Sequence, residues 1–204
     1  GCARAVSSAI NWFFEHHDRG IILEEDCVPD PSFFRFCEEL LDRFANDTRI
    51  GVVTGNNFQN GRLRGPDSYY FSRYPHCWGW ATWRRAWTRF DFDACAKDPT
   101  AQRAYSNLTP LRFDEAAYWA AMRRLTVAGF IDSWATRWMH SLWEHDMLTV
   151  TTQHNLVMNI GFGSDATHTK TAVSHTHAPQ NVDFPLRHPQ NVTCDNDADR
   201  FVAT

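Results

Sequence analysis

The sequence lacks several features that assign a protein to a class at once. It has no run of lysine and arginine and a net charge of −4, which disfavours the nucleic-acid-binding class because such domains usually carry a basic face. No apolar stretch reaches the length of a membrane span, and no signal peptide leads the chain. The six cysteines form no CxxC pair, so they indicate neither a zinc site nor a disulfide framework. We therefore expect a cytoplasmic protein, at most peripheral to a membrane, with no nucleic-acid partner.

Aromatic residues, in contrast, are plentiful: they make up 14% of the chain and include nine tryptophans. Large aromatic faces suit sugar rings, whose C–H surfaces stack on them, although core packing explains most tryptophans in most proteins. With 204 residues, of which 43% are hydrophobic, the chain is long enough for one sizeable core.

The first third of the chain alternates between helical and strand patterns. Residues 3–18 have apolar positions at helical spacing, and the apolar residues 21–23 after Gly20 predict a buried strand over 21–24. A second helix begins at Pro31, since proline is favoured in a first turn, and residues 49–54 predict a second strand. Such alternation predicts an α/β protein with mostly parallel strands.

The pattern beyond Gly55 is more varied. Helices are predicted at 113–127 and from Asp132 or Ser133, either of which can cap a helix, to about residue 146. The other predictions are a polar loop at 56–67, a strand at 69–74, an aromatic turn at 78–83 leading into a helix that ends near Arg89, an irregular segment at 91–109, a short strand at 148–150, and an extended or disordered polar tail from Lys170.

Three acidic residues, Glu24-Glu25-Asp26, follow the first predicted strand directly. The carboxyl ends of strands in open α/β sheets are where ligands bind. Crowded carboxylates repel one another, so a divalent cation such as Mn²⁺ or Mg²⁺ is expected between them, where it can bridge to a substrate diphosphate. An ordinary solvated turn at a strand end is the alternative.

A glycine-containing loop at 161–169 is the second candidate for ligand binding. Its glycines and hydroxyl side chains offer backbone amides and O–H groups to a phosphate, and glycine supplies the flexibility of a closing lid. His168 is placed to ligate the cation or to neutralise a phosphate. A plain surface turn with a hydrogen-bonded histidine is the alternative reading.

Two aromatic segments complete the candidates. Trp134 and Trp138 lie four residues apart on one helical face, and Asp132 before them is either a helix cap or a general base. In Trp78-Gly79-Trp80, the glycine permits the close approach of a ligand or of another backbone. Core packing is the default role of these tryptophans.

Taken together, these motifs resemble metal-dependent nucleotide-sugar glycosyltransferases of the GT-A fold, in particular bacterial relatives of the animal N-acetylglucosaminyltransferase I group. Those proteins carry a strand ending in Leu-Glu-Asp-Asp, a Pro-x-Phe-Phe helix, a Trp-Gly-Trp-Ala-Thr-Trp turn and a Gly-Phe-Gly-x-Asp-Ala-Thr-His-Thr loop. The matching segments here are 22–26, 31–34, 78–83 and 161–169. The resemblance spans residues 1–169 as one glycosyltransferase domain and leaves 170–204 as a polar tail.

The resemblance implies a Rossmann-like, mixed and mostly parallel sheet flanked by helices. It also implies transfer of a sugar, with inversion, from a nucleoside diphosphate donor such as a UDP-sugar to a hydroxyl of a glycan or other acceptor. Asp26, joined by His168, would ligate Mn²⁺ or Mg²⁺. The donor or acceptor would be contacted by the remaining motif residues: Glu24, Glu25, Trp78, Gly79, Trp80, Trp134, Gly163, Ser164 and Thr167.

The sequence departs from this family at two places. Relatives place the aspartate taken as the catalytic base directly after the first tryptophan of the Trp-x-x-x-Trp segment, where this chain has Ala135. Asp132 and Asp165 are the candidates to replace it. GT-A domains also begin with a nucleobase-binding strand, whereas this sequence starts on the helix that follows, so that strand is expected to be missing.

Two other functions were considered beside an enzyme of this family. A non-catalytic GT-A-like protein that binds a nucleotide-sugar or a glycan is compatible with Ala135. A metal-dependent phosphohydrolase would need a second cluster of carboxylates or histidines, and no spacing in the sequence supplies one. The sequence does not indicate an oligomeric state.

Overall fold

The computed structural model describes residues 1–96, 113–161 and 179–203. In these ranges the helices are α1 (Cys2–His16), α2 (Pro31–Arg43), α3 (Arg84–Trp87), α4 (Phe113–Val127), α5 (Trp134–Glu144) and α6 (Asn196–Val202). The strands are β1 (Arg19–Ile22), β2 (Cys27–Pro29), β3 (Ile50–Thr54), β4 (Tyr69–Ser72), β5 (Trp80–Trp83), β6 (Leu148–Thr152) and β7 (Val157–Asn159), and Ala94–Ala96 forms a 3₁₀ turn.

The central sheet is mixed, as predicted, with helices packed against it, although parallel pairs are the minority among its described strands. Its strand order is β1-β5-β3-β6-β4. Strands β1, β3 and β6 run in one direction and β4 and β5 in the other, so β3–β6 is the parallel pair among the described strands and the remaining pairs are antiparallel. Strands β2 and β7 form a separate antiparallel pair.

The predicted alternation of helix and strand in the first third is confirmed. Helix α1 buries one face, including Ile10 and Phe14. Helix α2 begins where Asp30 accepts a hydrogen bond from the Ser32 backbone N–H at 2.8 Å, with Pro31 in its first turn, which is standard N-terminal capping. The strands of the central sheet before and after α2, β1 and β3, run in the same direction but do not pair, because β5 lies between them.

Strand β5 corrects the prediction of an aromatic turn leading into a helix. All four of its residues are buried, so it lacks the alternation of polar and apolar residues that identifies a half-buried strand. Thr82, the polar residue within it, donates its hydroxyl to the Gly51 carbonyl at 2.6 Å. The helix that follows, α3, is a single turn ending at Trp87 and does not reach Arg89.

The two later helices follow the prediction closely. Helix α4 has the predicted bounds and is followed by Gly129 at a φ of +82°. Helix α5 is capped by Ser133, whose hydroxyl accepts from the Thr136 N–H at 3.2 Å, so Asp132 lies outside the cap. The predicted strand at 148–150 is the first part of β6.

The C-terminal segment differs from the extended or disordered tail that its polar composition predicts. Residues 179–203 pack against the rest of the domain: Val182 and Leu186 are buried in the core, Cys194 pairs with Phe71 beside β4, and α6 follows. Buried Asp199 holds α6 to Arg73 at 3.0 Å. The prediction is therefore wrong for this range, because a few buried contacts outweigh the polar composition.

Within the residues that the structure describes, no helix is both long enough and apolar enough to cross a membrane.

Candidate functional site

The three acidic residues form a tight turn at the end of β1. The Cys27 N–H donates to the Glu24 carbonyl at 3.0 Å, which closes the turn. Glu25 at its tip is exposed, while Glu24 and Asp26 are half-buried. The acidic turn, as we call Glu24–Asp26, therefore combines one solvated carboxylate with two that face the protein.

Pairing of β2 with β7 brings the acidic turn to the start of the predicted glycine loop. Cys27 lies opposite Asn159, and the Ile160 N–H donates to the Asp26 carbonyl at 2.8 Å. Gly161 then lies directly against the Asp26 carboxylate: a Cβ at this position would overlap Oδ2 and stand 3.0 Å from Cγ. Two motifs separated by 135 residues, between Asp26 and Gly161, are thus in contact, and a side chain at position 161 would displace the Asp26 carboxylate.

The start of the loop is held by Asn159, a buried residue whose side-chain oxygen accepts from the Gly161 N–H at 2.7 Å. The other predicted site residues of this loop lie outside the described residues: Gly163, Ser164, Asp165, Thr167 and His168.

Trp134 contacts the acidic turn from the start of α5. Its indole N–H donates to the Glu24 carboxylate at 3.1 Å, and its ring stacks on Trp80 with centroids 5.4 Å apart. Trp80 and Trp134 are only 1% and 3% exposed. This burial does not fit the direct substrate contact predicted for them, since both rings form the core beneath the turn. Trp134 instead positions Glu24.

Gly79 packs against the protein itself. Its φ is +70°, and a Cβ there would stand 2.6 Å from Val157 Cγ2 and 3.2 Å from Leu23 Cδ2. The close approach that the sequence predicted at this glycine is therefore made by side chains of β7 and of the segment after β1. Trp78, next to it, is half-buried and lies 5.0 Å from the Phe58 ring.

Asp132 is exposed, and its carboxylate lies against Gly1 at the start of α1. It precedes Trp134, which contacts Glu24, by two residues. No contact between the Asp132 carboxylate and the acidic turn is seen among the described residues. Ala135, the position of the missing aspartate, lines a cavity described next.

A cavity of about 600 Å³ opens between α4, α5, the β4–β5 connection and the end of α6. We call it the aromatic cavity because its walls carry five aromatic side chains besides histidine: Phe58, Tyr74, Trp78, Tyr118 and Trp119. Its polar lining includes His76, Glu115 and Thr136. Burial lowers the pKa of His76 to about 3, so this imidazole is neutral at physiological pH.

Sequence analysis identified neither His76 nor Glu115. Glu115 is 8% exposed, yet it sits on a helix whose apolar residues follow no clear face, so periodicity does not mark it as inward. His76 lies in a connection without a repeating pattern. His76 lies two residues before Trp78 in the chain, and the packing of α4 brings Glu115 to the same cavity.

Two cysteines near the acidic turn carry protonated thiols. Burial, with a smaller contribution from the charges of Glu24 and Asp26, raises the pKa of Cys27 to about 11 and that of Cys77 to about 12. Because metal binding needs the thiolate, the carboxylates are the better ligands here.

The donor set fits a hard divalent cation that a substrate completes. Carboxylate oxygens are what Mn²⁺ and Mg²⁺ prefer. Across residues 1–96, 113–161 and 179–203, no three His, Cys, Asp or Glu side chains come together as a ready-made metal cage. Mg²⁺ is commonly held by one or two carboxylates, with substrate phosphates and water as the other ligands. Asp26 and its neighbours can supply the carboxylates.

In comparisons with known proteins, no protein-family model and no curated protein matches the sequence.

Proposed function

We propose that this protein is a GT-A-like glycosyltransferase that transfers a sugar from a nucleoside diphosphate donor, of the UDP-sugar class, to an acceptor hydroxyl. The observation that supports it best is the contact between the Asp26 carboxylate and Gly161. It joins an acidic turn suited to a divalent cation with the first residue of a loop whose sequence suits a diphosphate.

The residues around this contact would have different roles in binding the donor. Asp26 would hold the cation, and Glu24, kept in place by the Trp134 indole at 3.1 Å, would face the donor. When bound, Mn²⁺ or Mg²⁺ acts as a Lewis acid that neutralises the leaving diphosphate. Asn159, by holding the Gly161 N–H at 2.7 Å, keeps the loop entrance beside the carboxylate.

Transfer with inversion requires a base on the acceptor side. The acceptor O–H gives its proton to a carboxylate, its oxygen forms the new bond to the anomeric carbon, and the bond from that carbon to the diphosphate oxygen breaks with its electron pair leaving on the diphosphate. Ala135 cannot take the proton. Asp132, beside the start of α5, and Glu115, which lines the same cavity as Ala135, are candidates among the described residues; Asp165 is the candidate outside them.

The test is a thermal shift of the protein with UDP, with and without Mn²⁺. A ligand that binds only the native state raises stability by mass action, about 2.7 kcal/mol at a concentration of 100 Kd. We expect a metal-dependent shift in the wild type that Asp26→Ala abolishes. The matched control is Asp18→Ala, which removes a carboxylate that is 89% exposed and should keep the shift. A panel of UDP-sugars then measures turnover.

No metal-dependent shift with UDP, or a shift that Asp26→Ala leaves intact, would contradict the proposed donor site.

A non-catalytic nucleotide-sugar or glycan-binding protein of the same fold is the second candidate. Ala135 favours it, since an alanine stands where relatives carry the base, and the Asp132 carboxylate lies against Gly1 rather than the acidic turn. A metal-dependent UDP shift without turnover of any UDP-sugar would favour this candidate. Turnover that Glu115→Gln or Asp132→Asn abolishes would exclude it and would identify the base.

A further inference from the structure

A second cavity, of about 650 Å³, opens beside the start of β1 and the end of β5. We call it the arginine cavity, because three of its seven lining residues are arginines: Arg19, Arg84 and Arg85. Arg19 is the first residue of β1, whereas the acidic turn follows the last one. The arginine cavity and the proposed donor site therefore lie at opposite ends of the same strand.

Pairing of β1 with β5 brings Arg19 and Arg84 together. Arg19 lies directly opposite Trp83, and Arg84 is the next residue of the chain. The Arg84 backbone N–H donates to the Asp18 carbonyl at 2.7 Å, which fixes the two segments side by side. The side chains of Arg19 and Arg84 are 44% and 42% exposed, so a molecule in the cavity can reach both guanidinium groups.

Arg85 is half-buried and held in one position. Its guanidinium lies 4.3 Å from the centre of the Trp83 ring. It donates at 2.7–2.9 Å to three backbone carbonyls, those of Phe44, Ala45 and Ile50. Such carbonyls carry only partial negative charge, and among the described residues no carboxylate bonds to Arg85. The charge of Asp47 acts on it, but Asp47 is itself paired with Arg49 at 2.6 Å.

The other two arginines have carboxylate partners at the surface. Arg19 is paired with Asp42 and Arg84 with Asp18, and these two carboxylates are 62% and 89% exposed. Ion pairs between exposed side chains are weak, so an incoming anion can join or replace them at little cost. With both partners counted, three guanidinium groups stand against two carboxylates, and the cluster keeps an excess of positive charge.

This excess of guanidinium charge suits a phosphate group. The planar donor fork of arginine matches the geometry of phosphate oxygens, and hydrogen bonds between two charged groups are the strong ones. The volume of about 650 Å³ is far larger than a phosphate ion and is typical of cavities that hold small organic molecules. The organic part of a phosphorylated molecule therefore has room beside its phosphate.

We propose that the arginine cavity is a second ligand site, which binds a phosphate monoester through Arg19 and Arg84 while Arg85 adds positive charge. The same phosphate chemistry occurs in small soluble molecules and in lipid headgroups. The site is independent of the proposed glycosyltransferase function, because it lies at the other end of β1 and needs no metal ion.

The experiment is calorimetric titration with glycerol 3-phosphate and with glycerol, which differ only in the phosphate. No metal ion is present. We expect glycerol 3-phosphate to bind, with an affinity that falls as the salt concentration rises because exposed charges are screened, and glycerol not to bind. No binding of glycerol 3-phosphate, or equal binding of the two probes, would overturn the proposal.

Two substitutions locate the phosphate. Arg19→Gln and Arg84→Gln should each weaken the binding of glycerol 3-phosphate by about tenfold, because each removes charged hydrogen-bond donors. Arg200→Gln is the matched control: Arg200 is 54% exposed, forms a surface pair with Asp197 and does not line the cavity. Affinity that both cavity variants retain in full would place the phosphate elsewhere and overturn the proposal.

Co-sedimentation with vesicles identifies the source of the phosphate. Phosphatidylcholine vesicles are compared with vesicles that also contain phosphatidic acid, whose headgroup is a phosphate monoester. Binding that requires phosphatidic acid and is lost in both cavity variants would support the site and identify a lipid headgroup as its ligand. Binding of glycerol 3-phosphate without binding to these vesicles would support the site and identify a small soluble ligand.

Failure of the proposed function is recognised separately, because the UDP shift is measured as a dependence on Mn²⁺ and glycerol 3-phosphate binding is measured without metal. If glycerol 3-phosphate binds but UDP with Mn²⁺ gives no shift, the arginine cavity is a phosphate site in a protein of another function. If the UDP shift is present and glycerol 3-phosphate does not bind, the donor site stands and the arginine-cavity proposal falls.

Discussion

At the scale of single residues, the candidate site depends on positions where no side chain fits. Gly161 lies against the Asp26 carboxylate and Gly79 against Val157 and Leu23. Each is a meeting point of segments far apart in the chain, so a methyl group there would push a neighbouring motif away. Gly161 serves close packing between segments, and Gly79, with a φ of +70°, serves both close packing and backbone conformation. Gly61, with a φ of +79° and nothing within 4 Å, serves backbone conformation alone.

Gly161→Ala should weaken metal-dependent UDP binding by about tenfold, because the new Cβ overlaps Asp26 Oδ2 and displaces the carboxylate; a factor of ten corresponds to about 1.4 kcal/mol. Thermal-shift titration of UDP with Mn²⁺ measures the effect.

Ile160→Ala is its control, since Ile160 is 58% exposed and lies next to Gly161. Equal affinity of UDP for wild type and Gly161→Ala would show that the carboxylate position is not needed for the donor.

At the scale of elements, the C-terminal helix α6 is attached to β4 through one buried carboxylate. Asp199 accepts from the Ser72 hydroxyl at 2.5 Å, from the Arg73 backbone N–H at 3.1 Å and from the Arg73 side chain at 3.0 Å. The Cys194 thiol donates to the same carboxylate at 3.0 Å. Because Val202 and Ala203 at the end of α6 line the aromatic cavity, this attachment also maintains one wall of that cavity.

Asp199→Ala should lower the free energy of unfolding by about 3–5 kcal/mol, because it leaves the buried Arg73 guanidinium without its counter-charge. Arg73 and Asp199 side chains are only 6% and 2% exposed, so solvent cannot compensate. Urea unfolding followed by tryptophan fluorescence measures the change.

Asp197→Ala, on the same helix, is the comparison. Its side chain is 81% exposed and pairs with Arg200 at the surface, so its loss should cost less than about 1 kcal/mol. Equal destabilisation by the two substitutions would mean that the buried pair does not anchor α6.

At the scale of the whole molecule, two buried histidines couple stability to pH. Burial lowers the pKa of His76 to about 3 and, together with nearby Arg123, that of His140 to about 4, from an ordinary value of 6.5. Below pH 6.5 the unfolded chain takes up protons at these positions while the folded protein does not. Stability is therefore complete above pH 6.5 and falls as the pH is lowered towards 4.

The slope in this window should be roughly 1 kcal/mol per pH unit for each histidine. Urea midpoints at pH 7.5, 6.0 and 5.0 measure it, and His76→Gln and His140→Gln should each reduce the loss between pH 7.5 and 5.0. His16→Gln, an exposed position, should not. An unchanged slope in both buried variants would show that other groups control the acid response.

Part of this architecture is readable from the sequence. The order α1, β1, α2 and β3, the start of α5 at Asp132 or Ser133 and the end of α4 before Gly129 follow from local signals, whereas the choice of Ser133 as the cap does not. Strand β5 could not be predicted, since burial on both faces removes the alternation that marks a strand. Strands β2 and β7 have three residues each, too few for any periodicity.

The candidate site, too, is only partly predictable from the sequence. Local sequence identifies the acidic turn, and the glycine loop stays a prediction beyond Gly161 because its other residues lie outside the described ranges. Local sequence cannot show that Gly161 contacts Asp26 or that Trp134 holds Glu24. It also misses His76 and Glu115, because neither carries a motif and each becomes notable only beside the other walls of the cavity.

The amino-acid sequence by itself thus determined the α/β class, the first helices and strands, and the acidic turn, because periodicity, capping and turn chemistry operate within a few residues. Tertiary structure decided which strands pair, how the C-terminal segment packs, and which carboxylates, aromatic rings and glycines meet. Those contacts join residues up to 150 positions apart, as between Ser32 and Val182. They depend on shape and burial summed over the whole core, which no local pattern records.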